Sequence, residues 1–292
     1  MKEKIAGVVH GVMPASGAAV AYRRCKVGMS DEDAGAALVI GKDGPSVTAV
    51  FAQAPGALQL LPTPDYVPHR KREAWLRICD ERGRLVAYPG TDPYRDIYLR
   101  RDRWWGLVRE EWLAPKDGQP IGWEEYSRNM TKARRFHDAL HDRYHANSYV
   151  FYGDDDTHRS FEHVTWHMRP GTTPDGRPRP NAVSVSRLGF PDVRDEGRSP
   201  LHVGGERHEG TFGKDAQTNY WELHCLMQDG AGDGTVPASS GSAPLRRDRE
   251  GSIRQQFRLK GFAHEPAFKD EGARQVTLYA LVKIAAQARR PA

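Results

Sequence analysis

The sequence predicts an α/β fold built around a mostly parallel sheet. Three observations carry this expectation. Short apolar runs at residues 5–11 and 148–153 suit buried strands, and they are separated by sequence of helical character. Residues 123–144 repeat Tyr126, Met130, Ala133, Phe136, Leu140 and Tyr144 at steps of three and four, which gives a helix one apolar stripe. Residues 275–287 predict a terminal helix with Val276, Leu278, Tyr279, Val282 and Ile284 as its core set.

The elements follow in order. Residues 5–11 (Ile-Ala-Gly-Val-Val-His-Gly) end in a turn and predict a buried parallel strand, so the chain reads as beginning inside a fold. Residues 15–24 are Ala-rich and permit a helix. Residues 46–52 are too few for periodicity to choose between a strand and a helix end. Residues 55–68 hold four prolines and predict an ordered loop. Residues 70–122 carry Trp75, Trp104, Trp105 and Trp112 among many arginines and aspartates. Two readings of them stand. One is a lid-like insertion whose indoles and guanidinium groups meet a lipid interface. The other is a surface excursion whose tryptophans plug the core. Residues 148–153 predict a strand from their aromatic and β-branched content. Residues 154–159 predict a turn, and the alternation over 161–168 predicts the second strand of a hairpin. Residues 170–219, rich in Gly, Pro, Asp and Arg, predict loops, and residues 257–262 a short strand. The chain then divides into core residues 1–69, a lid-like insertion with the long helix over 70–146, and core residues 147–292. It holds no internal repeat.

Composition narrows the class. The 292 residues are 38% hydrophobic and 28% charged, with a mean hydropathy of −0.70, so one core must coexist with much surface and loop. Basic residues alternate with acidic ones, as at 100–103 and 246–249, and the net charge is only +5. That pattern reads as a solvated face; the mildly basic balance leaves an anionic membrane surface as a candidate partner, and nucleic acid is not expected as one. Cys25, Cys79 and Cys225 are an odd count without metal or redox spacing and predict reduced thiols. No run approaches about 18 apolar residues, and the N-terminus lacks a secretory signal. The expectation is a protein made in the cytoplasm, with any export by a route that uses no signal peptide.

The candidate chemistry centres on Gly232-Asp233-Gly234-Thr235-Val236-Pro237 and on Phe262-Ala263-His264 before the terminal helix. Flanking glycines let the backbone turn sharply and present a short carboxylate at a loop tip. A carboxylate so placed can hold the Nδ1–H of an imidazole base and stabilise its protonated form. His264 follows a predicted strand and precedes a helix, where a base can reach the edge of a parallel sheet. No Gly-x-Ser-x-Gly elbow exists to supply a nucleophile. Ser30 lacks the second glycine, and Ser46 follows proline. Ser16, in Pro14-Ala15-Ser16-Gly17, follows a strand and precedes helix-permissive sequence; it is the surviving candidate, with helix capping as its other reading. Asp154, Asp155 and Asp156 follow a strand end and are alternative acids, or a turn. His137, His141 and His145 recur every four residues, but without a His-Glu-x-x-His arrangement they read as a polar helix face rather than a zinc site. No metal or cofactor is expected.

These motifs resemble α/β-hydrolase lipases of the lecithin–cholesterol acyltransferase and PGAP-like groups, and especially bacterial type VI secretion lipase effectors. Pro55-Gly56-Ala57-Leu58-Gln59-Leu60-Leu61-Pro62 resembles the family's Pro-Ser-x-x-Gln-Leu-Leu-Pro segment. Val9-His10-Gly11-Val12-Met13-Pro14-Ala15 resembles the strand and loop after the nucleophile elbow, and residues 148–153 a later strand ending in Tyr-Gly. The resemblance implies that Asp233 is the acid and His264 the base of a lipid ester hydrolase. It also implies an N-terminally truncated fold, with the first strands, the elbow and the oxyanion-hole amides upstream of Met1. His10-Gly11 offers a competing register, as the strand that opens the oxyanion side. The expectation is a lipase- or phospholipase-like hydrolase, inactive as an isolated chain. Its partners would be a lipid or other ester, an anionic membrane surface and an upstream half. The alternative is a non-catalytic fragment, or a lipid- or partner-binding module.

Overall fold

The computed structural model describes residues 4–29, 41–66, 74–80, 84–113, 121–170, 193–195, 201–207 and 218–288. In chain order its strands are β1 (Val8–Gly11), β2 (Leu76–Cys79), β3 (Leu85–Tyr88), β4 (Ser148–Gly153), β5 (Asp155–Ser160), β6 (Val164–Pro170), β7 (Val193–Asp195), β8 (Leu201–Arg207), β9 (Thr218–Cys225), β10 (Gly230–Gly232) and β11 (Ile253–Leu259). The α-helices are α1 (Val20–Val27), α2 (Gly44–Phe51), α3 (Pro55–Leu58), α4 (Trp123–Leu140), α5 (Ala238–Gly241), α6 (Ala243–Arg247) and α7 (Glu271–Ala288).

A three-stranded sheet in the order β1-β4-β11 is wholly parallel. β4 sits at its centre, and Tyr149, Val150 and Phe151 are all buried. A strand covered on both faces needs an unbroken apolar run, which is what Ser-Tyr-Val-Phe-Tyr-Gly supplies. α7 packs on this sheet through Ala273, Ala280 and Ile284. Gly7 admits it, since a Cβ there would lie 2.7 Å from Ile284. Leu278, Tyr279 and Val282 of the predicted core set are instead exposed. Small residues let the helix sit close; of the predicted set, Ile284 is buried and Val276 packs against the core, while these three turn outward.

The parallel expectation holds for this sheet but not for the larger one. A six-stranded sheet runs β3-β2-β6-β9-β8-β7, and only β2 and β6 pair in parallel. Three corrections follow. Residues 155–160 form β5, not a turn, because β10 pairs with them. β6 pairs with β2 and β9 and not with β5, so no hairpin forms there. Strands β7 and β8 and the first two residues of β9 lie within 170–219, where loops are expected; residues 171–192, 196–200 and 208–217 lie outside the described residues.

α2 replaces the strand-or-helix ambiguity of residues 46–52. Asp43 caps it by accepting from Ser46 N at 2.8 Å, and Pro45 stands in the first turn. Within the expected proline-rich loop, residues 55–58 form the short α3. In α4, Tyr126, Met130 and Ala133 are buried as expected, but Phe136 and Leu140 are exposed.

Trp75, Trp104, Trp105 and Trp112 are all buried, and the first three belong to one cluster with α1, Leu58, Leu61, Tyr126 and Trp166. The lipid-facing reading of these indoles is thereby corrected: they are the core of this half of the molecule. The same cluster spans the expected boundary at 69/70, and β2 joins β6 across the one at 146/147. Within the 70–146 stretch, residues 70–73, 81–83 and 114–120 lie outside the described residues.

Candidate active site

The acid and the base arrive on two separate supports. β5 and β10 form an antiparallel ribbon in which Gly230 lies opposite Ser160 and Gly232 opposite Asp155. Glycine is required at 232, because a Cβ there would collide with the Ser160 hydroxyl. The next residue is Asp233, which is 1% exposed. Its Oδ1 accepts from Thr235 N at 3.0 Å and Val236 N at 2.7 Å, closing an Asx-type turn. Gly234 takes φ +92°, a left-handed value that favours glycine, and its N–H donates to His158 O at 2.8 Å. The end of β4 presses on the same turn: a Cβ on Gly153 would lie 2.8 Å from Asp233 Cβ.

The base follows β11. The chain turns at Gly261 (φ +91°) and reaches His264, whose N–H donates to the backbone oxygen of Asp233 at 2.7 Å. His264 Nδ1 lies 2.9 Å from Asp233 Oδ2. An ionised carboxylate only accepts, so against it Nδ1 carries the proton, and in the neutral ring Nε2 then holds the lone pair. The imidazole is partly open to solvent, with 29% of its side chain exposed, while the carboxylate is sealed. A buried carboxylate behind a half-open imidazole can take a proton from a group in the cleft and stabilise the charge that results.

That cleft has a volume of about 750 Å³. Apolar walls come from Phe161, Leu226 and Met227, and Arg23 and Arg24 line it as well. Cys225 also lines it, with Sγ 3.5 Å from Leu226 O. All three cysteines are outside disulfides.

Ser16 does not join this group. It is 0% exposed and is absent from the cleft walls. Its N–H donates to Ser240 Oγ at 3.1 Å, and its carbonyl accepts from Thr63 N at 2.9 Å. Gly17, at φ +91°, folds against the backbone of Leu61, tucking Ser16 beneath that segment. Nor is Ser16 a helix cap, since α1 begins after Ala19. Ser46 belongs to the first turn of α2, and Ser30 lies outside the described residues. Among the described residues lining the cleft there is no serine.

Of the alternative acids, Asp156 is exposed and the other two have partners elsewhere. Asp154 pairs with Arg258 at 2.5 Å. Asp155 accepts from Thr157 N and Oγ1 at 2.8 Å each and from Gly261 N at 2.8 Å. The bonds from Thr157, then that from Gly261, hold its carboxyl below the usual carboxylate range. The three α4-side histidines diverge. His137 Nε2 meets Gln59 O at 2.8 Å, His141 Nε2 meets Asp65 at 3.1 Å beyond the helix end, and His145 Nδ1 accepts from Asn147 N. Among the described residues no cluster of three His, Cys, Asp or Glu side chains is placed to hold a metal.

Sequence reasoning missed a second Asp–His pair. His163 Nδ1 lies 2.6 Å from Asp229 Oδ2, and His163 Nε2 lies 2.8 Å from Arg77. The partners are far apart in sequence and carry no flanking motif; only the adjoining ends of β6, β9 and β10 bring them together. The arginines and Cys225 on the cleft wall were equally silent in the sequence.

No family model matches the chain, and no curated protein matches it. Among solved structures, the chain is similar to one in the crystal structure of the Tle4–Tli4 complex, at 26% identity with a TM-score of 0.68. The match covers 97% of this chain and 55% of that one, so this chain spans about half the length of its structural neighbour. The likeness supports a lipase-effector-like α/β-hydrolase fold. It does not single out the lecithin–cholesterol acyltransferase and PGAP-like groups. No helix among the described residues is long and apolar enough to cross a membrane.

Proposed function

We propose that this chain carries the acid and base of a lipase- or phospholipase-like serine ester hydrolase. The single observation behind this reading is the 2.9 Å bond from His264 Nδ1 to the buried Asp233 carboxylate, with the ring open to a cleft. In the proposed reaction a serine hydroxyl attacks the ester carbonyl while His264 Nε2 takes its proton. The tetrahedral intermediate collapses, and His264 returns that proton to the leaving alcohol. Water then repeats the cycle on the acyl-serine. Asp233 keeps the ring in the reactive tautomer throughout. Apolar Phe161, Leu226 and Met227 beside Arg23 and Arg24 suit an ester with an apolar acyl arm and an anionic neighbour.

The serine belongs, on this proposal, to a further segment seated on the free edge of β1. β1 pairs only with β4 among the described residues. Its Val8 and Val12 N–H groups point to that partner, so Val9 and Gly11 face the other way. An open parallel edge accepts another strand, and the neighbour's greater length leaves room for such a segment. The proposal extends to delivery as a type VI secretion effector-like protein, action at an anionic membrane surface, and a protein partner, by analogy with a neighbour crystallised as the Tle4–Tli4 complex.

One observation favours the alternative, a lipid- or partner-binding module of hydrolase fold: the cleft walls hold no serine among the described residues. A fluorophosphonate probe separates the two. The chain alone is expected to remain unlabelled. On this proposal, co-expression with a further segment that supplies Gly-x-Ser-x-Gly is expected to give labelling on that segment and ester hydrolysis. Both should fall by about 10³-fold or more in His264→Gln. Hydrolysis that survives His264→Gln and Asp233→Asn would sink the acid–base assignment. Labelling of the chain alone that Ser16→Ala abolishes would restore Ser16 as nucleophile.

A further inference from the structure

We infer that Asp155 is the positioning residue that holds the acid loop and the base loop in register. The inference rests on the reading of Asp233 and His264 as acid and base. The two loops leave different elements, β10 and β11, and each must be fixed for a 2.9 Å bond to persist between them. Asp155 touches both supports. Its backbone lies opposite Gly232, the residue before Asp233. Its Oδ2 accepts from Gly261 N at 2.8 Å, three residues before His264. Its Oδ1 is held in turn by Thr157 N and Thr157 Oγ1. Further along the strand, His158 O accepts from Gly234 N, the residue after Asp233. Residues 155–158 therefore fasten the acid turn by backbone and the base loop by a carboxylate.

The chemistry at 155 demands a carboxylate. Donors approach both oxygens, from Thr157 on one and Gly261 on the other. A carboxamide has one acceptor oxygen, so the substitution Asp155→Asn would set an N–H₂ against one of these N–H groups whichever way it turned. The buried site offers little water to substitute, with Asp155 at 8% exposure. Release of Gly261 frees a turn at positive φ, and His264 moves with it. Asp154 differs: its carboxylate pairs with Arg258 and not with the Asp233 turn or Gly261.

Long-range ¹H–¹⁵N spectra of the full chain, at a pH where the rings are neutral, test this by reporting which ring nitrogen carries the proton. The measurement reads the pair's geometry whether or not an ester is hydrolysed. A failed Asp155 role therefore leaves the His264→Gln hydrolysis test untouched. His163, paired to Asp229, is an internal standard for folding. In Asp155→Asn, His264 is expected to pass from Nδ1–H to a mixture dominated by Nε2–H, while His163 stays Nδ1–H. Asp154→Asn is expected to change neither. The inference is overturned if His264 stays Nδ1–H in Asp155→Asn, or if Asp154→Asn shifts it equally. If Asp155→Asn loses both signatures, Thr157→Ala decides, because it removes the hydroxyl bond to Oδ1, together with that hydroxyl's 3.2 Å contact to His158 Nδ1, and keeps the carboxylate that holds Gly261 N. A partial rise of Nε2–H at His264 with His163 intact then supports the inference, and an unchanged His264 refutes it.

Discussion

Gly153→Ala is expected to break the Asp233–His264 bond without replacing either residue. A Cβ at 153 would stand 2.8 Å from Asp233 Cβ, 3.1 Å from Gly232 O and 3.3 Å from Asp233 Cα. Carbon pairs settle at about 3.5–4.0 Å, so Asp233 must withdraw by roughly 0.7 Å or more. It cannot retreat freely, because Val236 N and Thr235 N grip its Oδ1. Carried along the bond axis, that shift takes the 2.9 Å contact to about 3.6 Å, beyond hydrogen-bonding range. The overpacking itself should cost about 1–3 kcal/mol. Urea denaturation reads the second effect and the ring-nitrogen spectrum of His264 the first. A variant of parental stability whose His264 remains wholly Nδ1–H would refute the reasoning, because it would show that the β4 end can yield without moving the acid.

Three further outcomes are expected. Burial, followed by the neighbouring Arg109, lowers the Lys26 amine to about 7 from its ordinary 10.5, while its Nζ donates to Trp104 O and Gly106 O. Between these values the unfolded chain holds a proton that the folded one lacks, so stability should rise with pH by at most about 1.4 kcal/mol per unit, and stay flat below 7. Denaturation at pH 7.0 and 8.5 should then show a gain of roughly 2 kcal/mol that Lys26→Met lacks; parallel curves would mean that Lys26 stays charged in the fold. Trp104→Ala should destabilise the protein by about 3–5 kcal/mol in thermal or urea unfolding, because the indole is 1% exposed within the core. Flotation with anionic liposomes should not depend on that indole at temperatures where the variant remains folded, and loss of binding by the folded variant would return it to a lipid-contacting role.

Legibility followed burial. β4 could be read because both its faces are covered, which forces an apolar run, and α4 because its inner stripe meets the core. Asp233 and His264 could be singled out because the turn and loop around them need particular residues: glycine for the turn, proline to end it, and a helix after the base. β5 could not. Asp-Asp-Thr-His-Arg-Ser is polar, and it is a strand only because Gly230 and Gly232 arrive from far along the chain to pair with it. The face of α7 was misassigned in part for a related reason: Ile284 is buried as expected, but size also marked Leu278 and Val282 as core, where close approach to the sheet selected Ala273 and Ala280. For the tryptophans, composition allowed a wet or a dry environment, and only tertiary packing could choose between them.

The pairing of Ser160 with Gly230 insulates the acid from its own history in the chain. The polypeptide departs and returns at facing positions, so residues 161–229 form a closed circuit whose two ends are pinned side by side. Length changes at the far end of that circuit, around β7 and β8, reach Asp233 only through β9 and the cleft wall that follows it. Grafts or deletions there should be tolerated as cargo on a fixed bracket, whereas a residue inserted between 155 and 160 falls between the two pinned pairs, where the register already shifts, and would displace Asp155 against Gly232.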